Sequence, residues 1–417
     1  MRKIALIFLL SLFISSNLKA QIFRYYSGLD SLQTEVSFQS ENFVQSNFLT
    51  QKVTSDIIFS NYITPELIEK MQNKLDQNNL LNAETRQSFN FNYKVDSNFS
   101  IGLNVVDRIL SYGLFTNDFI TVLSSGNRSD EGELYNFSGT NINFFKFQEI
   151  GVNAKYVLKI GHQIGLNINY INVESFNKIA LDNTTFNVNQ FGTETDIEVT
   201  GMAQFSDSTN KSFASNNGNG FSISGSYSAP IKILKNQTRQ GFATLYFKDI
   251  GSLFANNKTL NFKQEGETYS FDGIYIENLT NYRPRIFEEQ SPDTILQRIL
   301  NTANFAKTSN SLPWLVGFTI MQPVFENSSV SFGSYFRNIS GSLPLFYGSY
   351  QTKINKTLSL EVNSNAGGFG NFSLGAGAEV NLNNLRFKLA TANLNGLLLR
   401  QTNTGLGVFA EIKYLIK

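Results

Sequence analysis

A single histidine and no cysteine leave this chain with little equipment for nucleophilic or general acid–base work. His162 follows Gly161 between two alternating apolar segments, so it reads as a satisfied residue of a tight turn. A hydrolase would need it beside a Ser or Asp at an accessible rim, and the spacing offers no such arrangement. Carboxylates pair up at Asp130 with Glu131 and at Glu288 with Glu289, in polar stretches that read as solvated loops. Asp182, Asp196 and Glu198 could approach a calcium ion from one loop, yet their spacing fits no calcium motif. Residues 216–220 are rich in Asn and Gly but lack the Lys-Ser or Lys-Thr that follows a phosphate cradle. The expectation is a non-enzyme with no catalytic residue, no cofactor and no metal ligand.

Charge excludes another class. The 34 Lys and Arg nearly balance 33 Asp and Glu, and loss of Arg2, Lys3 and Lys19 with a leader leaves 31 against 33. Neither a nucleic-acid surface nor an acidic tail is implied. Arg2 and Lys3, an apolar core from Ile4 to Ile14 and a polar exit ending at Ala20 read as a secretory signal cut before Gln21. That core is too short to span a bilayer, which takes roughly 20 residues. Without cysteine there is no lipid anchor either, so folded strands must hold the protein in any membrane.

The remaining sequence supplies such strands. Phe89, Phe91, Tyr93 and Val95 alternate with Asn90, Asn92 and Lys94. Residues 96–98 turn the chain, and Phe99, Ile101, Leu103 and Val105 then alternate with Ser100, Gly102 and Asn104. One greasy and one wet face is the signature of a half-buried antiparallel hairpin. The pattern recurs around Gly161 and His162, again at 221–247, and through 372–389. A last strand places Val408, Ala410, Ile412, Tyr414 and Ile416 on one face. Lys417 departs from the aromatic residue on which such closing strands usually finish. The strands run near ten residues, against the ~5 to 6 of soluble sheets, which disfavours a β-sandwich and suits a tilted membrane crossing.

Short turns at Asp96, Gly161, Glu326, Lys353 and Asn383 alternate with long connections at 111–147, 176–218 and 251–311, as in an outer-membrane barrel. The expected fold is an all-β, transmembrane antiparallel barrel of about 14 strands, or 16 if residues 259–275 add a hairpin. Residues 54–62 are its expected first strand. Two accessory helices are predicted at 65–76, with Thr64 as cap and Pro65 at the first position, and at 293–306. The predicted domains are a signal peptide at 1–20, a plug or periplasmic segment at 21–52 and the barrel at 53–417. Lumen-facing charges would include Lys94, Lys155, Lys159, Glu361, Glu379, Arg386, Lys388, Glu411 and Lys413, a mixture that favours internal cross-linking over a selective pore. The aromatic stretch 141–147 hints at a buried contact with a partner or a plug.

The segment Lys248-Asp249-Ile250-Gly251-Ser252-Leu253, the entry Ser311-Leu312-Pro313-Trp314-Leu315-Val316-Gly317 and the Gly-rich closing strands resemble uncharacterised outer-membrane barrels of Bacteroidota. Those are distantly similar to long-chain fatty-acid transporter barrels and to barrel subunits of the type IX secretion apparatus. The resemblance implies about fourteen strands and a lumen plugged by the N-terminal segment; it carries over no binding residue. Two functions stay open. The first is a non-enzymatic structural or accessory subunit of an envelope complex for secretion, assembly or surface attachment. The alternative is a transporter or channel for a small solute, hydrophobic ones included. The expected surroundings are outer-membrane lipid and other envelope proteins, with no nucleic acid, and the expected location is the cell outer membrane.

Overall fold

The computed structural model describes residues 32–59, 64–125, 134–158, 161–188, 194–207, 209–210, 212–233, 240–272, 303–394, 398 and 404–416. In chain order its strands begin with β1 (Thr34–Ser46), β2 (Asn79–Lys94), β3 (Phe99–Phe115), β4 (Leu134–Asn136), β5 (Asn141–Val157), β6 (Gln163–Val188) and β7 (Glu194–Phe205). Next come β8 (Gly218–Ile231), β9 (Gly241–Ala255), β10 (Leu260–Asp272), β11 (Asn304–Phe305), β12 (Ser309–Ser311) and β13 (Leu315–Phe325). The last six are β14 (Ser328–Arg337), β15 (Leu345–Lys353), β16 (Leu358–Gly367), β17 (Gly370–Leu382), β18 (Leu385–Thr391) and β19 (Leu406–Ile416).

Fourteen of these strands close a ring, each antiparallel to both neighbours, with β1 sealing it against β19 on one side and β2 on the other. Closure removes every edge from the wall, which is what a sheet surrounded by lipid requires. The alternating residues sort as the sequence demands. Leu103, Val105, Ile150, Val152, Ile168, Leu245, Val362 and Leu389 are exposed on the outside, while Ser88, Asn104, Asn169, Ser222 and Asn363 are buried within. Outward Tyr93, Tyr156, Tyr227, Tyr350 and Tyr414 cluster near the strand ends that carry the short turns, as an aromatic girdle does at a membrane interface. No helix among the described residues is long and apolar enough to cross a membrane. The molecule is therefore a barrel of the outer-membrane type.

Two expectations about the chain's start need correction. Residues 34–46, assigned to a plug, form a wall strand, because Ser37, Gln39 and Glu41 face inward in phase with Ser88 and Arg86 while Val36 and Phe38 face outward. Only two apolar residues mark its outer row before Ser40, which hid the alternation. Residues 54–62, assigned to the first strand, lie largely in helix α1 (Gln51–Phe59). Thr50 caps that helix by accepting from the Val53 amide at 3.3 Å, and Lys52 pairs with Asp56 one turn on at 2.5 Å. The barrel therefore starts before residue 53; residues 1–31 lie outside the described residues.

The helix predicted at 65–76 is present as α2 (Pro65–Gln72), with Pro65 in its first turn and Leu67 and Met71 buried. A third helix, α3 (Asn117–Ser125), was not anticipated. The three pack through Val53, Leu67, Met71 and Ile120 onto Phe48 and Phe115 at the long-loop end. Of the helix predicted at 293–306, residues 293–302 lie outside the described residues, and Asn304–Phe305 is a short strand. Of the hairpin considered at 259–275, residues 273–275 lie outside the described residues, and β10 pairs with β7 above the wall, so the ring has fourteen strands. At about 3.3 Å per residue the 26 residues of β6 extend roughly 85 Å, well beyond a tilted crossing of a ~30 Å core. Its surplus carries β4, β7, β10 and β11 as a sheet standing on the barrel rim.

Candidate functional site

Half-way up the lumen lies a layer of buried charge. Arg108 on β3 reaches Glu84 on β2 at 2.8 Å, Glu149 on β5 at 3.4 Å and Asp249 on β9 at 3.0 Å. Arg337 on β14 meets the other Glu84 oxygen at 2.9 Å. Charges removed from water persist only when partnered; here Arg108 is shared among three carboxylates, and Glu84 is shared between Arg108 and Arg337. The Phe147 ring centroid lies 5.5 Å from the Arg108 guanidinium carbon, so the ring face stacks on the cation.

Asp249 owes its place to a β-bulge. Ile223 pairs with Ile250 but Gly225 with Phe247, so Lys248 and Asp249 together oppose Ser224. Asp249 takes a left-handed backbone, φ 58°, and both residues turn inward where strict alternation would send one of them out. Bulges re-aim side chains in this way, and this one delivers a carboxylate to Arg108.

Above the layer the lumen is filled with apolar side chains. Phe145, Phe147, Ile171, Val173, Leu253 and Leu312 form one cluster. Nearer the mouth, Leu80 packs with Ile339 and Phe369. From the stretch 141–147, Phe145 and Phe147 are thus buried against the barrel's own side chains.

Below the layer, towards the short turns, the lumen opens into a polar vestibule. A cavity of about 310 Å³ is bounded by Asn90, Asn92, Asn104, Asn169, Arg86 and Asp249 among others. It runs into a second of about 240 Å³, with which it shares Asn153, Lys155, Asn167, Ser224 and Lys248.

The third feature stands outside the wall, at the foot of the rim sheet. A pocket of about 690 Å³ is lined by Phe205, Leu260, Phe262 and Phe305, with Lys146, Glu174, Asp207 and Lys258 around it. The Phe205 and Phe262 rings meet edge-on at 5.9 Å. Lys146 pairs with Glu174 at 3.0 Å and Lys258 with Asp207 at 3.7 Å. The side-chain and backbone donors of Thr209 hold the Asp207 carboxyl below its ordinary pKa, with Lys258 adding to the effect.

The lumen charges expected from sequence are placed as follows. Lys155 and Lys413 line the vestibule, Lys413 pairing with Glu35 at 3.4 Å. Lys388 and Glu361 pair at 3.3 Å, and Glu411 accepts from Gln39 at 2.5 Å. Glu379 accepts from Asn381 at 2.9 Å, and Arg386 stands opposite Lys413 in the register. Lys94 is exposed at the short-turn end, and Lys159 lies outside the described residues. Sequence reasoning missed Glu84, Arg86, Arg108, Glu149 and Arg337, although Glu84 and Arg86 share the phase of Ser88 and Asn90. His162, in the turn between β5 and β6, meets the Tyr227 hydroxyl on β8 through Nδ1 at 2.6 Å. Asp130, Glu131, Glu288 and Glu289 lie outside the described residues, and among the described residues no three His, Asp or Glu are grouped so as to hold a metal ion, Asp182, Asp196 and Glu198 included.

No protein-family model matches the chain, and no curated protein matches it. Solved structures similar to it include a mutant of the TodX monoaromatic hydrocarbon channel, at 11% identity and a TM-score of 0.47 over 96% of this chain and 95% of that one. A FadL homologue of Pseudomonas aeruginosa covers 93% of this chain and 92% of its own at 8% identity and a TM-score of 0.41. The translocator domain of the autotransporter NalP from Neisseria meningitidis covers 94% and 92% at 9% identity and a TM-score of 0.35. The likeness is one of barrel architecture and transfers no residue and no ligand to this chain.

Proposed function

We propose that the protein is an exported outer-membrane barrel that binds a small apolar solute at its outer face for uptake. The observation that carries this reading is the 690 Å³ pocket of Phe205, Leu260, Phe262 and Phe305 among hydrophilic loops. Open apolar surface is disfavoured in water unless something covers it. Pockets of a few hundred Å³ with mostly apolar walls and a few placed charges are the usual form of small-molecule sites. A small aromatic or aliphatic hydrocarbon fits that lining. Of the two functions open in sequence, transport is thereby preferred.

The test is binding of toluene and of a medium-chain fatty acid to the folded barrel in detergent, with Phe205→Asp and Phe262→Asp as variants. Loss of binding by tenfold or more in barrels that keep heat-modifiable migration supports the reading. Unchanged binding in both variants contradicts it.

The accessory-subunit reading retains one supporting observation, the ion-paired layer that crosses the lumen between Glu84 and Arg337. It predicts a barrel that copurifies with envelope proteins and binds no hydrocarbon.

A further inference from the structure

The loop between β7 and β8 holds a phenylalanine in the open by means of a strained turn. Phe213 is 80% exposed, and Ala214 after it takes a left-handed backbone at φ 58°. The Ser215 amide donates to the Ser212 carbonyl at 3.0 Å, so Ala214 occupies the third position of a β-turn, where a positive φ ordinarily belongs to Gly or Asn. A lone exposed aromatic needs no explanation. One presented by a backbone that L residues avoid points to a use for it.

The turn is tied to the outer surface of the wall. A bulge in β6 leaves Glu174 as an extra residue between Val173, opposite Phe147, and Ser175, opposite Lys146. Its buried carboxylate accepts from the Ala214 amide at 3.1 Å. The Asn172 side chain donates to the Ser215 carbonyl at 3.2 Å and accepts from the Asn216 side-chain amide at 2.8 Å. Asn217 donates to the Glu174 and Asn210 carbonyls at 2.7 and 3.1 Å. Asn172 has the phase of Ile164, Ile168 and Tyr170, whose side chains are exposed on the lipid side. From Ile164, which pairs with the girdle residue Tyr227, the strand rises eight residues to Asn172. That is about 26 Å of strand and, at a tilt of ~40°, about 20 Å along the membrane normal, against an apolar band ~25 Å tall. The turn therefore rests at the outer margin of that band. Phe221 and Phe254 stack there at 6.2 Å, and Tyr170 pairs with Phe221, the makings of a second aromatic girdle.

We propose that the turn at 212–215 is a membrane anchor, with Phe213 entering the outer leaflet of the lipid bilayer beside that girdle and holding the loop to the membrane surface. Apart from Ala214, the loop from 206 to 217 surrounds Phe213 with Ser, Asn, Thr, Asp and Lys. It lacks the apolar surround that makes an aromatic side chain a protein-binding hot spot. A single ring at headgroup level, continuous with an aromatic belt, is what a lipid interface favours. Thr209, Asn210 and Ser215 of the same loop line the outer pocket, but the anchor needs no ligand there and is tested without one, so it stands or falls independently of the hydrocarbon reading.

The experiment uses the full barrel in phosphatidylcholine vesicles. Trp314 is the only tryptophan, so Trp314→Phe with Phe213→Trp places one fluorophore in the turn. Lipid brominated near the headgroup should quench its emission at least twofold, and lipid brominated near the chain ends should quench it less. Acrylamide in the water should quench it at least threefold less than a tryptophan placed by Glu265→Trp on the exposed rim sheet. Asn172→Ala unties the turn and should lower the lipid quenching in a barrel that keeps heat-modifiable migration; unchanged lipid quenching there would overturn the turn's part in placing the ring. If the tryptophan variant does not fold, a spin label on Phe213→Cys reads the same contrast through dissolved oxygen and a water-soluble nickel complex. Acrylamide quenching equal to that at position 265 overturns the proposal, because the ring then stands in water. Shielding from both quenchers overturns it too, because protein and not lipid then covers the ring.

Discussion

Arg337 on β14 and Glu84 on β2 stand seven strands apart by either route around a ring of fourteen, yet their side chains meet at 2.9 Å. They span the diameter of the lumen, and Arg108 continues the bridge to Glu149 and Asp249. Ion pairs thus tie the cylinder across its middle, with phenylalanines packed above them.

The barrel is accordingly expected to be silent in planar bilayers. Replacing Arg337 and Arg108 together with Ala shortens both bridging side chains, and discrete conductance steps should then appear. Single removal of Arg108 leaves three buried carboxylates without their shared cation, so a loss of about 3–5 kcal/mol is expected. A lower urea midpoint of unfolding measures it. Large conductance in the unmodified barrel would show that the bridge is not closed in the membrane.

Asp249 combines a left-handed backbone with a charge that Arg108 needs. Asn tolerates that backbone, as Gly does, whereas a residue such as Ala does not. Asp249→Asn should therefore cost the ion pair alone, and Asp249→Ala should cost roughly 1 kcal/mol more through strain at φ 58°. Equal urea midpoints for the two variants would remove the bulge from the account.

The outer pocket should be insensitive to ordinary pH. Thr209 and then Lys258 depress the Asp207 pKa below 3.8. A depressed carboxylate keeps its contacts above its ordinary pKa and loses them only as pH falls through the folded value. Hydrocarbon binding is thus expected to stay flat from pH 5 to 8 and to decline only below about 3.8, as followed by fluorescence displacement. A midpoint near neutrality would place a different group in control.

Most of the wall was legible because a two-residue period survives wherever one face meets lipid and the other water. Phe89 to Val95 and Phe99 to Val105 declared themselves for that reason. β1 did not, since its outer row of Val36 and Phe38 gives way to Ser40 and Asn42. Helix α1 was mistaken for a strand because the apolar pair Ile57 and Ile58 outweighed the Thr50 cap and the Lys52–Asp56 spacing. Neither site could be read from local sequence. The charged layer joins residues up to 253 positions apart, Asp249 faces inward only because a bulge shifts its phase, and the outer pocket brings β6, β7, β10 and β11 together above the membrane.

The chain contains no cysteine, so single Cys substitutions along β3 give an uncluttered measurement of which way each side chain points. Spin labels at Ile101, Leu103 and Val105 should be quenched by lipid-dissolved oxygen, and labels at Gly102, Asn104 and Val106 should not, giving a clean two-residue oscillation across the strand. Equal shielding of both sets from lipid, as between two packed sheets in water, would contradict the barrel on which every site described above depends.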